Sequence, residues 1–153
     1  MIISRLLLVL LAVSAVALSA CGPGDSSGGG DAGQPGDAEN VDINALIASA
    51  DLKRGETLFL QCRACHSLGE GEANKVGPNL HGVFGRKAGL APEFAFSEVF
   101  VNADVTWTPE TMSEFLYRPS AFLPGNRMVF IGVGKPADRA NLIAFLQQAT
   151  AAD

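Results

Sequence analysis

Five consecutive residues, Cys62-Arg63-Ala64-Cys65-His66, carry the most specific chemistry in the chain. Two thiols three positions apart at the end of a helix can add to the two vinyl groups of one porphyrin. A histidine directly after the second thiol then faces the metal from the same side. The pattern is the attachment motif of a c-type haem. The same cysteine spacing serves redox dithiols and half of a zinc site. Zinc needs two further ligands, and outside the motif the chain offers only Cys21 and His81. A redox dithiol belongs in a βαβ context, and no alternating strand pattern of useful length occurs. The residues therefore point to one haem, held covalently by Cys62 and Cys65 and ligated through His66.

Iron needs a sixth ligand. The methionines are Met1, Met112 and Met128, and His81 is a rival. Met112 falls inside an expected helix, where a methionine is more often core. His81 lies close behind His66, past a tight Gly77-Pro78 turn. Met128 follows Pro124-Gly125-Asn126-Arg127 in a loop that can wrap the second haem face, so His66 and Met128 are the expected metal ligands. A thioether favours ferrous iron and raises the potential relative to two histidines.

Three helices must position these groups. Asp51 is a suitable N-cap for a helix running to about Gln61, with Leu52, Gly55, Phe59 and Cys62 on one face. A mid-helix Gly55 costs about 1 kcal/mol relative to Ala, which implies that another helix crosses closely there. Thr108-Pro109-Glu110 begins a second helix, with a cap, a proline at the first position and an acid; it ends before Pro119. A third runs from Pro136 to about Thr150 with an apolar stripe of Leu142, Phe145, Leu146 and Ala149. Gly- and Pro-rich loops lie between. The domain, residues 49–153, is expected to be all-α. Its core is thin unless something large fills the middle, and a haem would.

Residues 1–48 are of another kind. Residues 6–18 are an apolar run interrupted only by Ser14 after a single Arg5, long enough for a signal-peptide core and short of the ~20 residues of a membrane span. Leu18-Ser19-Ala20-Cys21 resembles a bacterial lipobox. Residues 1–20 are thus expected to be a signal peptide and Cys21 to be lipidated, with residues 2–20 as an uncleaved anchor the alternative. More than one acyl chain gives stable anchoring. Residues 21–48 are expected to be an acidic Gly/Pro/Ser-rich tether; the stretch 22–40 has no large apolar residue and cannot offset its ordering entropy. A flexible linker of that length spans roughly 25 Å. Export to the bacterial periplasm, held at the membrane, follows. The net charge of −5 disfavours nucleic acid as a partner.

Longer stretches add to the motif: Gly77-Pro78-Asn79-Leu80-His81-Gly82-Val83-Phe84-Gly85-Arg86-Lys87, Val105-Thr106-Trp107, residues 124–130 and residues 139–146. From about Ala50 to Thr150 the chain resembles the mitochondrial-type class I cytochromes c, in family order and spacing. The resemblance implies the class I fold, three main helices and long loops around one covalent haem c, in a monomeric carrier that is not an enzyme. It implies that Pro78 offers its carbonyl to His66 Nδ1–H and that Arg86 and Trp107 lie at the haem propionates, with Asn126 and Ser97 as further donors. Phe130 would cover the haem edge, and Gly55 and Phe59 would meet Leu142 and Phe145.

Two departures stand out. Phe94, Phe96, Phe115 and Phe122 occupy positions where the family commonly has tyrosine. Cations at the haem edge reduce to Lys75, Arg127 and Lys135, with Gln61 and Ser120 where lysines are common. The expected partners are a quinol-oxidising complex as donor and a terminal oxidase, reaction centre or periplasmic reductase as acceptor. The alternatives are a haem enzyme or a gas- or peroxide-responsive protein with a labile Met128, or a dedicated subunit of a larger oxidoreductase.

Overall fold

A computed structural model describes residues 41–152. The expected signal peptide, Cys21 and residues 22–40 of the tether lie outside them. Six helices follow in order: α1 Ile43–Ala48, α2 Leu52–Phe59, α3 Glu98–Val101, α4 Pro109–Tyr117, α5 Pro119–Phe122 and α6 Pro136–Ala149. Among the described residues there is no strand, only an isolated antiparallel bridge between Lys87 and Thr106. No described helix is long and apolar enough to cross a membrane. The domain is all-α, as expected.

The caps lie where the sequence puts them. The Asp51 carboxylate accepts the Arg54 N–H at 3.0 Å and starts α2. Thr108 and Thr111 form a reciprocal capping box ahead of α4, with Pro109 at its first position. Each bond satisfies a backbone group that has no partner within its helix.

Helix α6 is the centre of the packing, contacted by α1, α2 and α4. Its buried residues are Arg139, Ala140, Leu142, Ile143, Ala144 and Leu146, a wider surface than the single expected stripe, because three helices surround it. At Gly55 a Cβ would run into the Asn141 carbonyl oxygen and lie 2.7 Å from Phe145 Cβ. The glycine permits the close crossing of α2 and α6, and beside it the Phe59 and Phe145 rings meet with centroids 5.6 Å apart. The first turn of α2 precedes this crossing, so Leu52 stays 43% exposed rather than joining the buried face.

The expected domain boundary at residue 49 moves upstream. Helix α1 is capped by the Asp42 carboxylate, which accepts the Ala45 N–H at 3.0 Å. Ile43 is buried at 4% exposure, and α1 packs on α6 and α4. Residues 43–48 therefore belong to the folded domain and not to the tether.

Arg139 is 1% exposed. It donates from Nε to Ser113 Oγ at 3.0 Å and from Nη1 to the Val133 and Gly134 carbonyls at 3.0 and 2.7 Å. Its guanidinium also lies 4.9 Å from the Tyr117 ring centroid. These contacts tie α6 to α4 and to the segment that returns from the Met128 loop.

Candidate haem site

Beyond α2 the chain continues in tight turns. Cys62 N–H and Arg63 N–H donate to Phe59 O, and Cys65 N–H and His66 N–H donate to Cys62 O. This coil puts Cys62, Cys65 and His66 in the wall of one cavity of about 510 Å³. The volume suits an organic cofactor. Burial, and then the neighbouring Cys65, push the Cys62 thiol up to about 11. A reactive redox cysteine carries the opposite shift, toward thiolate, and the described residues hold no βαβ unit to support such a pair.

His66 is seated from two sides. Its Nδ1 lies 2.8 Å from the Pro78 carbonyl oxygen, so Nδ1–H donates and Nε2 is left with its lone pair. The ring also rests on Gly77, where any Cβ would collide with the imidazole. Burial lowers the His66 pKa, the Pro78 bond partly opposes that, and Lys75 adds to it. The ring is therefore neutral, the state a metal requires.

The loop supporting this wall is built by side chains. Asn79 Nδ2 donates to the Gly69 and Glu72 carbonyls at 2.8 and 2.9 Å. The Glu72 carboxylate accepts the Leu68 and Gly69 N–H groups, and the Gly69 bond first, then the Leu68 bond, holds it below the usual carboxylate range. Lys75, expected only as a surface cation, donates from Nζ to the Arg63 and His66 carbonyls at 2.8 and 3.2 Å. It closes the turn that bears the motif, a role that depends on loop geometry with no sequence signature.

Arg86 and Trp107 come together through backbone pairing. Gly85 N–H donates to Trp107 O, Trp107 N–H to Arg86 O, and Ala88 N–H to Val105 O. Both side chains line the cavity. The Arg86 guanidinium donates to the His81 and Asn79 carbonyls at 3.0 and 3.4 Å, and burial lowers its pKa. It has no carboxylate partner among the described residues. Ser97 also lines the cavity, and its buried Oγ has no hydrogen-bond partner among the described residues. A half-buried cation without an anion and an orphaned hydroxyl, in an otherwise apolar cavity, fit a flat apolar molecule with carboxylates at one edge. Haem, with its propionates, is such a molecule.

Phe59, Leu142 and Leu146 form part of the wall beside the cysteines. Phe115 meets Trp107 with centroids 5.1 Å apart and Phe100 and Phe122 at 5.9 Å, while Phe94 and Phe96 stack edge to face at 4.8 Å. Met128 and Phe130 line the cavity from their loop, and Met112 lines it from α4, 7% exposed within the core. His81 is not among the lining residues; it supplies a backbone carbonyl to Arg86 instead.

Asn126 departs from expectation. It does not line the cavity. Its Nδ2 donates to the Pro119 and Leu123 carbonyls, both at 2.8 Å, which engages both amide hydrogens. No donor remains for a propionate.

A helical domain wrapped round one cavity, with two thiols and a neutral imidazole in its wall, defines a protein that holds haem covalently. Comparison with known proteins makes this specific. The family model described as Cytochrome c matches residues 52–150. The chain is 49% identical over 108 residues to cytochrome c of Chlamydomonas reinhardtii, covering 70% of this chain and 96% of that protein. It is 45% identical over 101 residues to cytochrome c of Stellaria longipes, covering 65% and 94%. It is 43% identical over 104 residues to cytochrome c2 of Blastochloris viridis, covering 68% and 82%. The chain belongs to the cytochrome c family and is a single-haem electron carrier with one covalent haem c.

Proposed function

We propose that this carrier moves single electrons between membrane-held redox complexes in a bacterial periplasm, with His66 and Met128 as its iron ligands and its N-terminus as a membrane anchor. The donor is a quinol-oxidising complex. The acceptor is a terminal oxidase, a reaction centre or a periplasmic reductase.

The observation that carries the reading is the exposure around the cavity. Val76, Leu90 and Val129 line it and are 83%, 61% and 101% exposed, while Trp107, Phe115 and Leu142 line it and are 7% exposed or less. A bound haem would meet solvent beside these exposed residues and not at the buried wall, and there an electron can pass to a docked protein. When bound, haem supplies the one-electron iron couple; the chain sets its potential and access. Pro78 fixes the His66 tautomer, Met128 supplies the thioether, and the buried aromatics keep water out. Arg86 and Ser97 would receive the propionates. With both His66 and Met128 bound to it, the iron would keep no open position for a substrate, which separates a carrier from the enzyme or sensor alternative.

Rim cations are few, and Arg127 donates part of its guanidinium to the Ala95 carbonyl at 3.3 Å. Long-range steering of partners is correspondingly weak. A tether at Cys21 compensates by raising local concentration.

Visible and near-infrared spectra of the holoprotein, with and without CO, test the ligand set. A sulfur-to-iron band and no CO response are expected. High-spin iron or ready CO binding would overturn the carrier reading in favour of an open iron. For the anchor, mass spectrometry of the membrane-extracted protein should find an acylated Cys21 at the N-terminus, whereas an intact, unacylated N-terminus would mean that residues 2–20 act as an uncleaved anchor.

A further inference from the structure

The loop that carries Met128 has little regular structure of its own. It leaves the four-residue helix α5 at Phe122 and passes Pro124 and Gly125 before reaching the methionine. Nothing in such a segment fixes the sulfur by itself. The Met128 N–H donates to Asn126 Oδ1 at 3.0 Å and to no other group among the described residues. The same side chain donates its two amide hydrogens to Pro119 O and Leu123 O, each at 2.8 Å. Its own backbone N–H donates to Leu123 O at 3.1 Å.

The carboxamide thus caps the carbonyl end of α5 with one side and grips the methionine backbone with the other. Helix α5 is in turn fixed to the body of the domain: Pro119 is fully buried, and the Phe122 ring meets Trp107 and Phe115 with centroids 6.5 and 5.9 Å apart.

We propose that Asn126 is a positioning residue for the sixth iron ligand: through Oδ1 and Nδ2 it locks Met128 to α5 and keeps the thioether on the iron. The inference rests on the reading of Met128 as that ligand. No hydrogen of the amide is left to reach the cofactor, so Asn126 acts through Met128 alone. A side chain with fewer than three bonding positions lets the loop swing, and the iron opens part of the time. A neutral hydrogen bond is worth enough that losing this set should raise the open fraction about tenfold or more.

The test compares holoprotein variants by two readouts, the near-infrared sulfur-to-iron band and the rate at which the ferrous form binds CO. Met128→Ala should abolish the band and bind CO readily. Asn126→Ala should weaken the band and bind CO about tenfold or more faster than the parent. Asn126→Thr keeps one donor and one acceptor and should fall between them. Ile43→Ala, which weakens the fold at a distant site, should leave both readouts at parent values, separating positioning from general stability. Parent-like behaviour of Asn126→Ala, with the band lost in Met128→Ala, overturns the inference and leaves the ligand reading intact. A band that persists in Met128→Ala overturns both. If Asn126→Ala does not fold, Asn126→Thr decides: parent-like values overturn the inference and intermediate values support it.

Discussion

With His66 as the proposed iron ligand, proton and iron would compete for its Nε2. Burial, partly opposed by the Pro78 carbonyl, lowers the pKa of this imidazole in the fold. A histidine is ordinarily half protonated near ~6.5 in an unfolded chain. With the folded value below the unfolded one, the stability contributed by the neutral ring is complete above about 6.5 and is lost as pH falls below it. Iron bound at Nε2 would hold off the proton further, so the holoprotein should stay low-spin well below this pH and turn high-spin only in acid strong enough to displace the imidazole; a high-spin transition at or above about 6.5 would contradict the assignment. Phe115 gives a second test at this scale. It packs at 7% exposure in the cavity wall that Met128 shares, and it has no hydroxyl to offer the sulfur. Phe115→Tyr supplies a donor that withdraws electron density from sulfur and disfavours ferric iron. Redox titration should show an upward shift, and no shift or a downward one would mean that the hydroxyl does not reach the sulfur.

Between elements, the crossing of α2 and α6 determines where the cysteines lie. Helix α2 delivers Cys62 one turn beyond Phe59, so any displacement at Gly55 is transmitted to the haem attachment. A methyl group at Gly55 has no room between Asn141 O and Phe145. Gly55→Ala gains helix propensity of about 1 kcal/mol, but backbone must move to admit it. A net loss of about 2 kcal/mol or more, as in overpacked cores, should appear in denaturant unfolding. An unchanged midpoint would mean that the helices separate at little cost. The surface ion pair of Arg54 with Asp138 at 3.0 Å spans the same two helices, but solvent screens an exposed pair and it does not offset the clash.

For the molecule as a whole, the cavity is the dominant quantity. Without haem, the walls of a cavity of about 510 Å³, lined largely by apolar and aromatic side chains, would face water instead of a packed neighbour. An ordinary domain has only about 5–15 kcal/mol of stability to set against that exposure. The chain without haem should thus not keep this fold. Cys62→Ser combined with Cys65→Ser, expressed so that no haem is attached, should lose most of its helical circular dichroism. A folded, cooperative apoprotein would show that the walls close on themselves.

Local chemistry was legible in the residues alone. The cysteine–histidine spacing, the caps at Asp51 and Thr108, and the start of α6 at Pro136 are short-range patterns, because a thiol pair, a cap or a proline acts within one helical turn. Gly55 announced a close crossing for the same reason, as a glycine in mid-helix is costly without one. What the fold alone decided depends on groups far apart in the chain. Arg86 and Trp107 share a wall through backbone pairing between two loops. Lys75 reaches back to the motif's carbonyls. Residues 43–48, expected within the tether, join the domain because α6 offers them a surface. Asn126 looked like a donor to the cofactor by family position. The carbonyls of Pro119 and Leu123, brought to it by the end of α5, take its hydrogens first, and no local pattern could announce that competition.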